Sequence, residues 1–249
     1  MKKTKAYSWV PTLYFAEALP YVAVMSIVTI MYKTLGLSNA ELAFYTSWFY
    51  LPWVIKPFWS PFVDALKTKR WWILAMQILI GAGFAGVAFT ISTSFWLQAS
   101  IAFFWLIAFS SAAHDIAADG FYMLGLSQSD QALFVGIRST FYRIATIFGQ
   151  GAVLYIAGRL EASTGDIPMA WQVTLLITSV ILAVITLWHV FFLPKPTADT
   201  ERQAESEKEN STEKAKSILY EFARTFATFF QKPGVWLAII FMLLYRLPE

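Results

Sequence analysis

The sequence predicts an all-α, polytopic membrane protein, and three observations carry that reading. Hydrophobic residues make up 57% of the chain and charged residues only 14%, with a mean hydropathy of +0.54. A soluble globule carries nearer 25% charged residues, so the apolar excess must face lipid. Apolar stretches long enough to cross a bilayer, which takes roughly 20 residues, recur between polar breaks. Lysine and arginine collect in alternate connecting segments, as they do at the cytoplasmic ends of membrane helices. The net charge of +3 fits such loops, so lipid rather than nucleic acid is the predicted partner. With no cysteine in the chain, disulfides and thiolate metal sites are excluded.

The predicted spans are 9–32, 40–64, 71–91, 95–124, 134–158 and 170–193, followed by the start of a seventh at 234–249. Lys2, Lys3 and Lys5 precede the first span as in a secretory signal. That span is too long for a signal, contains Glu17 and lacks a small-x-small cleavage site, so it reads as a retained helix. The third span holds Gly81-Ala-Gly83-Phe-Ala-Gly86, which fits the dinucleotide-binding pattern. No strand precedes it, so these small residues are expected to let helices approach closely. Ala145, Gly149 and Ala152 in the fifth span read the same way. The fourth span exceeds one perpendicular crossing, and its last third is expected to tilt or project toward the cytosol. With the N-terminus inside, the inner segments hold Lys2, Lys3, Lys5, Lys67, Lys69, Arg70 and Arg138, and most of the basic residues after Pro194. The outer loops hold only Lys33 and Arg159. That asymmetry sets the orientation.

Pro194 and Pro196 stop the sixth helix. The bundle is therefore expected over 1–193, with a polar, charge-mixed, solvated linker over 194–217. Over 218–232, Ile218, Leu219, Phe222, Phe226, Phe229 and Phe230 share one helical face. This predicts an amphipathic helix lying on the inner leaflet, with packing on the bundle base as the alternative. The run 234–249 reads as a truncated seventh helix. Leu244-Tyr245 before Glu249 echoes Leu13-Tyr14 before Glu17, one residue out of step. Six spans, a linker and a restart suggest the first half of a twelve-helix carrier built from two repeats, hence a fragment.

Six ionisable residues lie inside the spans: Glu17, Lys56, Asp115, Asp119, Arg138 and Arg143. Each costs a few kcal/mol in the bilayer, so such residues mark polar pathways. Counted at 1.5 Å per residue, Glu17 and Lys56 both lie about 12 Å deep. Buried opposite charges at one depth tend to pair, which predicts a shared network. The same count gives two further rungs, Asp119–Arg138 and Asp115–Arg143. Asp115 and Asp119 stand on one face, with His114 about 100° away. These pairs read either as structural staples or as a coupling site. In the second reading Asp115 or Glu17 carries the proton: burial disfavours a charged carboxylate, a cationic partner favours it, and substrate tips the balance. His114 is a candidate shuttle or a packing residue, and His189 is expected at the interface beside Trp188. Gln77 and Gln150 are candidates for sugar or amide contacts or for plain interhelical hydrogen bonds. Tyr14 and His114 complete the expected cavity wall on helices one and four. No zinc motif, phosphate loop or hydrolase triad is present, so no metal, no cofactor and no enzymatic activity are predicted.

The segment from Trp53 to Asp64, followed by Lys67, Lys69 and Arg70, resembles the signature loop of the major facilitator superfamily. In that family an Asp and nearby basic residues latch the cytoplasmic side of the two halves. Asp64, Lys69 and Arg70 match by position, while Ser60 and Lys67 replace the usual glycines. Three blocks, Tyr14-Phe-Ala-Glu17-Ala-Leu-Pro20, Leu51-Pro52-Trp53 through Asp64, and Asp115-Ile-Ala-Ala-Asp119, resemble the AmpG-type muropeptide permeases and their acetyl-CoA-transporter-like relatives, over residues 9–193. The resemblance implies the six-helix N-terminal half of a major facilitator fold. It also implies proton-coupled import of anhydromuropeptides across the bacterial inner membrane, by a monomer completed by a C-terminal half. Tyr14, Trp48, Trp53 and Trp105 offer faces for sugar rings. Another organic solute, such as an acyl-CoA-like or sugar-phosphate anion held by Lys56, Arg138 or Arg143, is the alternative. A membrane scaffold or sensor recruiting a partner through its linker is an alternative of another class.

Overall fold

The computed structural model describes residues 6–200, 220, 223–224 and 226–246. They divide into two units, one ending at Arg202 and one beginning at Gln203. In the first unit, α1 runs Val10–Thr34, with a π-helical turn at Ala23–Ile27 soon after Pro20. The second rod is α2 (Asn39–Thr46), a 3-10 turn (Ser47–Tyr50), α3 (Leu51–Val54) and α4 (Lys56–Leu66). Next come α5 (Lys69–Thr90), α6 (Trp96–Gly125) and α7 (Gln128–Ile147). A π-turn (Phe148–Val153) leads into α8 (Leu154–Thr164), and α9 spans Ile167–Phe192.

Four of these helices, α1, α5, α6 and α9, are long and apolar enough to cross a membrane. Of the two remaining rods, the second is broken, and the fifth is continuous from Gln128 to Thr164 through a π-turn, as α1 is. The span expected over 40–64 changes course at Ser47–Tyr50 and again at Ile55. Pro52 and Pro57 explain this, because each lacks the N–H that would continue the helical ladder, while Pro61 is accommodated inside α4. The span expected over 134–158 starts earlier, at Gln128. The Ser127 hydroxyl accepts from the Asp130 backbone N–H at 3.3 Å and caps the helix there. Its far end reaches Thr164, where Gly165 at φ 69° takes the left-handed conformation that closes a helix.

Interhelical contacts fix the chain directions. Tyr14 meets Asp119 and Tyr32 meets Ser100, so α1 and α6 are antiparallel. Trp188 donates to the Ser8 carbonyl and Trp171 to Thr34, so α9 also opposes α1. Tyr14 meets Arg138 and Ser26 meets Gln150, so α7 runs parallel to α1. The glycine pattern in α5 serves close packing. A Cβ on Gly83 would sit 2.6 Å from Ile107, and one on Gly86 2.4 Å from the Phe103 ring. At Gly81 the nearest atoms are 3.9 Å away, an ordinary contact.

Two apolar cores form. One gathers Leu19, Ile27, Tyr32, Phe84, Phe104 and Leu175. The other gathers Trp9, Leu13, Val63, Ile73, Phe121 and Phe134. Along α1, α5 and α6 the switch between them falls at Glu17, Gln77 and residues 110–115, where polar side chains are buried.

Residues 194–200 are not free linker. Asp199 is buried and packs against the bundle, which moves the bundle boundary beyond the expected residue 193. Residues 201–217 of the expected linker, with Ile218, Leu219 and Phe222 of the expected amphipathic helix, lie outside the described residues. In the second unit α10 spans Val235–Arg246. Phe230 lies 5.2 Å from Phe226 and 5.3 Å from Trp236 between ring centres.

Candidate functional site

The break at Ile55 turns Trp53 and Lys56 toward the same point on α6. Lys56 Nζ lies 2.8 Å from Asp115 Oδ2, and Trp53 Nε1 donates to the same oxygen at 3.1 Å. Glu17 joins from α1. One ligand-type atom each of Glu17, His114 and Asp115 lie within 4.8 Å of one another. Glu17 and Lys56 therefore meet at one carboxylate, and Lys56 pairs with Asp115 rather than with Glu17. Glu17 Oε2, His114 Nδ1 and Asp115 Oδ1 are buried without a hydrogen-bond partner in the protein.

Behind this cluster runs a chain of hydrogen bonds through four rods. Gln77 Nε2 lies 3.0 Å from His114 Nε2, and Gln77 Oε1 lies 3.0 Å from His189 Nδ1. His189 Nε2 then reaches Thr12 Oγ1 at 2.9 Å. Because the two ends of an amide are opposite in polarity, Gln77 assigns opposite roles to the two imidazoles. His189 is fully buried, which corrects its expected interfacial place. The signal was the stripe Thr174, Thr178, Leu182, Thr186 and His189, all buried on one face of α9. Gln77 is likewise a buried bridge rather than a cavity-lining group.

The second rung forms on the cluster's flank. Arg138 Nη2 pairs with Asp119 Oδ1 at 3.2 Å, and the Tyr14 hydroxyl donates to the same oxygen at 3.2 Å. The guanidinium lies 4.6 Å from the Tyr14 ring centre and 5.2 Å from that of Tyr122, a cation–π clamp. The expected Asp115–Arg143 rung is absent. Arg143 is exposed and Asp115 has gone to Lys56. Depth matched, but five residues of helix rotate Arg143 about 140° from the Arg138 face. Gln150 is exposed and donates to Ser26 Oγ at 3.2 Å, where the two π-turns meet. Turns of this kind often mark functional positions in helices.

At the end of the bundle where α5 begins, Lys69 is buried and ion-paired with Asp64. Its stem lies on Gly120, where a Cβ would come within 2.9 Å of Lys69 Cε. Arg70 donates to the carbonyls of Val190 at 2.6 Å and Leu193 at 3.3 Å, closing the C-terminus of α9. Asp199 accepts from the backbone N–H groups of Lys69 and Arg70 at 2.9 and 3.3 Å. A carboxylate at a helix N-terminus satisfies orphan donors and the helix dipole together. The reading of 194–217 as solvated missed this cap, because composition alone hides a single buried carboxylate.

The sequence profile described as Major Facilitator Superfamily matches residues 12–247. Over 247 residues the chain is 25% identical to the "Anhydromuropeptide permease" of Escherichia coli K12, an alignment covering 94% of this chain and 44% of that protein. Over 241 residues it is 25% identical to "Putative transporter AmpG 4" of Rickettsia felis, covering 90% of this chain and 53% of that one. A protein of the same name from Rickettsia conorii is 24% identical over 187 residues, covering 70% of this chain and 42% of that one. The chain thus spans about half the length of the curated relatives it matches.

Proposed function

The chain belongs to the Major Facilitator Superfamily, and on that premise we propose that its bundle forms one wall of a secondary carrier importing anhydromuropeptides, driven by protons. The observation that carries the proposal is the polar layer between the two apolar cores. Carboxylates cannot sit at that depth without a task or a partner. Here Asp115 Oδ2 has two partners, while Glu17 Oε2 and Asp115 Oδ1 have none within the protein. Such a half-satisfied cluster can exchange a proton or a solute group as access alternates between the two sides. Lys56, at 28% side-chain exposure, is the cation within reach of an arriving solute. The solute class follows the relatives' names, and the inner membrane and a cytoplasmic N-terminus follow from that class and from the loop charges. Rings such as Trp53 supply stacking faces for sugars.

Competition tests the solute. In the carrier assembled from this chain and its second half, excess anhydromuropeptide should suppress uptake of labelled muropeptide, and a sugar phosphate or acyl-CoA should not. Suppression by the anion alone favours the reading in which Lys56, Arg138 or Arg143 binds an anionic solute, and overturns the muropeptide assignment.

A further inference from the structure

We infer that Glu17, His114 and Asp115 form a binding site for a divalent transition-metal cation of the Zn²⁺ type. Three structural features point there. The three side chains bring ligand-type atoms within 4.8 Å of one another. Each side chain also holds a buried nitrogen or oxygen with no partner in the protein: Glu17 Oε2, His114 Nδ1 and Asp115 Oδ1. Glu17 is 7% exposed and His114 fully buried, so bulk water does not serve them freely. Orphaned polar atoms of this kind are costly, and three of them on side chains that cluster this closely call for an occupant.

The donor set fixes the sign of that occupant. Two carboxyl groups and an imidazole, all lone-pair donors, face one ammonium, Lys56, which Asp115 Oδ2 already holds. Asp115 presents Oδ2 to Lys56 and Trp53 and keeps Oδ1 for the cluster. The bound cation therefore need not displace Lys56, which retains enough exposure to lean away from it. One imidazole with two carboxylates suits zinc, cobalt or manganese better than sodium or calcium, which prefer oxygen alone. Bond lengths of roughly 2.0–2.2 Å would require the donors to close by about 1 Å. The assignment requires the Gln77 amide to reverse. As it stands, Gln77 Nε2 faces His114 Nε2 and Oε1 faces His189 Nδ1; with the amide reversed, Oε1 accepts from His114 Nε2–H, Nε2 donates to His189 Nδ1, and the His114 Nδ1 lone pair is free for a metal. Metal-bound histidines usually hold such a partner on their other nitrogen.

The site uses the carboxylates of the proposed proton coupling, so a bound cation would take the proton's place there, but its test measures binding alone and succeeds or fails independently of transport. The purified chain in detergent is titrated with Co²⁺ and Zn²⁺, followed by Co²⁺ visible absorption and by calorimetry. The chain has two histidines and no cysteine, so the background is low. One saturable site is expected, weakened at least about tenfold by His114→Gln and by Glu17→Gln, and little changed by His189→Gln. Where thermal melts show that His114→Gln does not fold, the near-isosteric Glu17→Gln and Asp115→Asn decide in its place. Absence of saturable binding below about 1 mM overturns the site. So does binding that survives both Glu17→Gln and Asp115→Asn, or that is lost only with His189→Gln.

Discussion

At the scale of single residues, the site turns on which charge meets which. Lys56 and Asp115 form the central pair, and Trp53 holds the shared oxygen in place. Lys56→Met should strand a mostly buried carboxylate and lower stability by about 2 kcal/mol. That is less than the loss for a fully buried pair, because Lys56 stays partly exposed. Adding Asp115→Asn should return most of the loss, and a double-mutant cycle by thermal melting reads the coupling directly. Near-additive losses would mean that the pair is incidental. The identities of the buried charges were legible in the sequence, since any ionisable residue in an apolar span draws notice. Their partners were only half legible. Depth counting placed Arg138 opposite Asp119, and the ion pair forms. It also placed Arg143 opposite Asp115, which fails because depth says nothing about the angle around the helix. The count was further displaced by the early start of α7, which the Ser127 and Asp130 capping signal announces.

At the scale of elements, close helix approach and helix capping do different work. Gly83 and Gly86 let α6 lie directly on α5, while Gly81 faces an ordinary gap. Gly83→Val should therefore destabilise the bundle by about 1–3 kcal/mol through overpacking. Gly81→Ala should be nearly neutral, and equal melts for the two variants would contradict this packing. Asp199 closes the start of α5 across a long stretch of chain. Asp199→Ala should cost about 1 kcal/mol, with raised amide exchange at Lys69 and Arg70. Unchanged exchange there would remove the cap from the account. The broken rod and the π-turns were the least legible elements. Proline showed where the second rod is weakened, but the two π-turns leave no pattern that a periodicity count detects.

At the scale of the whole molecule, hydropathy and loop charge made the fold class legible, because both are summed over many residues. The polar layer between two cores was not, because it arises only once distant helices assemble. Orientation is a separate prediction. The chain has no cysteine, so single replacements report cleanly. With the N-terminus inside, Ser94→Cys should react with an impermeant maleimide added outside intact cells, and Ser129→Cys only after permeabilisation. The reverse pattern would invert the topology. The most direct measurement of the central claim, that the buried carboxylates couple solute to the proton gradient, compares two modes of transport by the assembled carrier carrying Asp115→Asn. Gradient-driven accumulation should collapse while solute counterflow without a gradient persists. Full accumulation by that variant would contradict the claim.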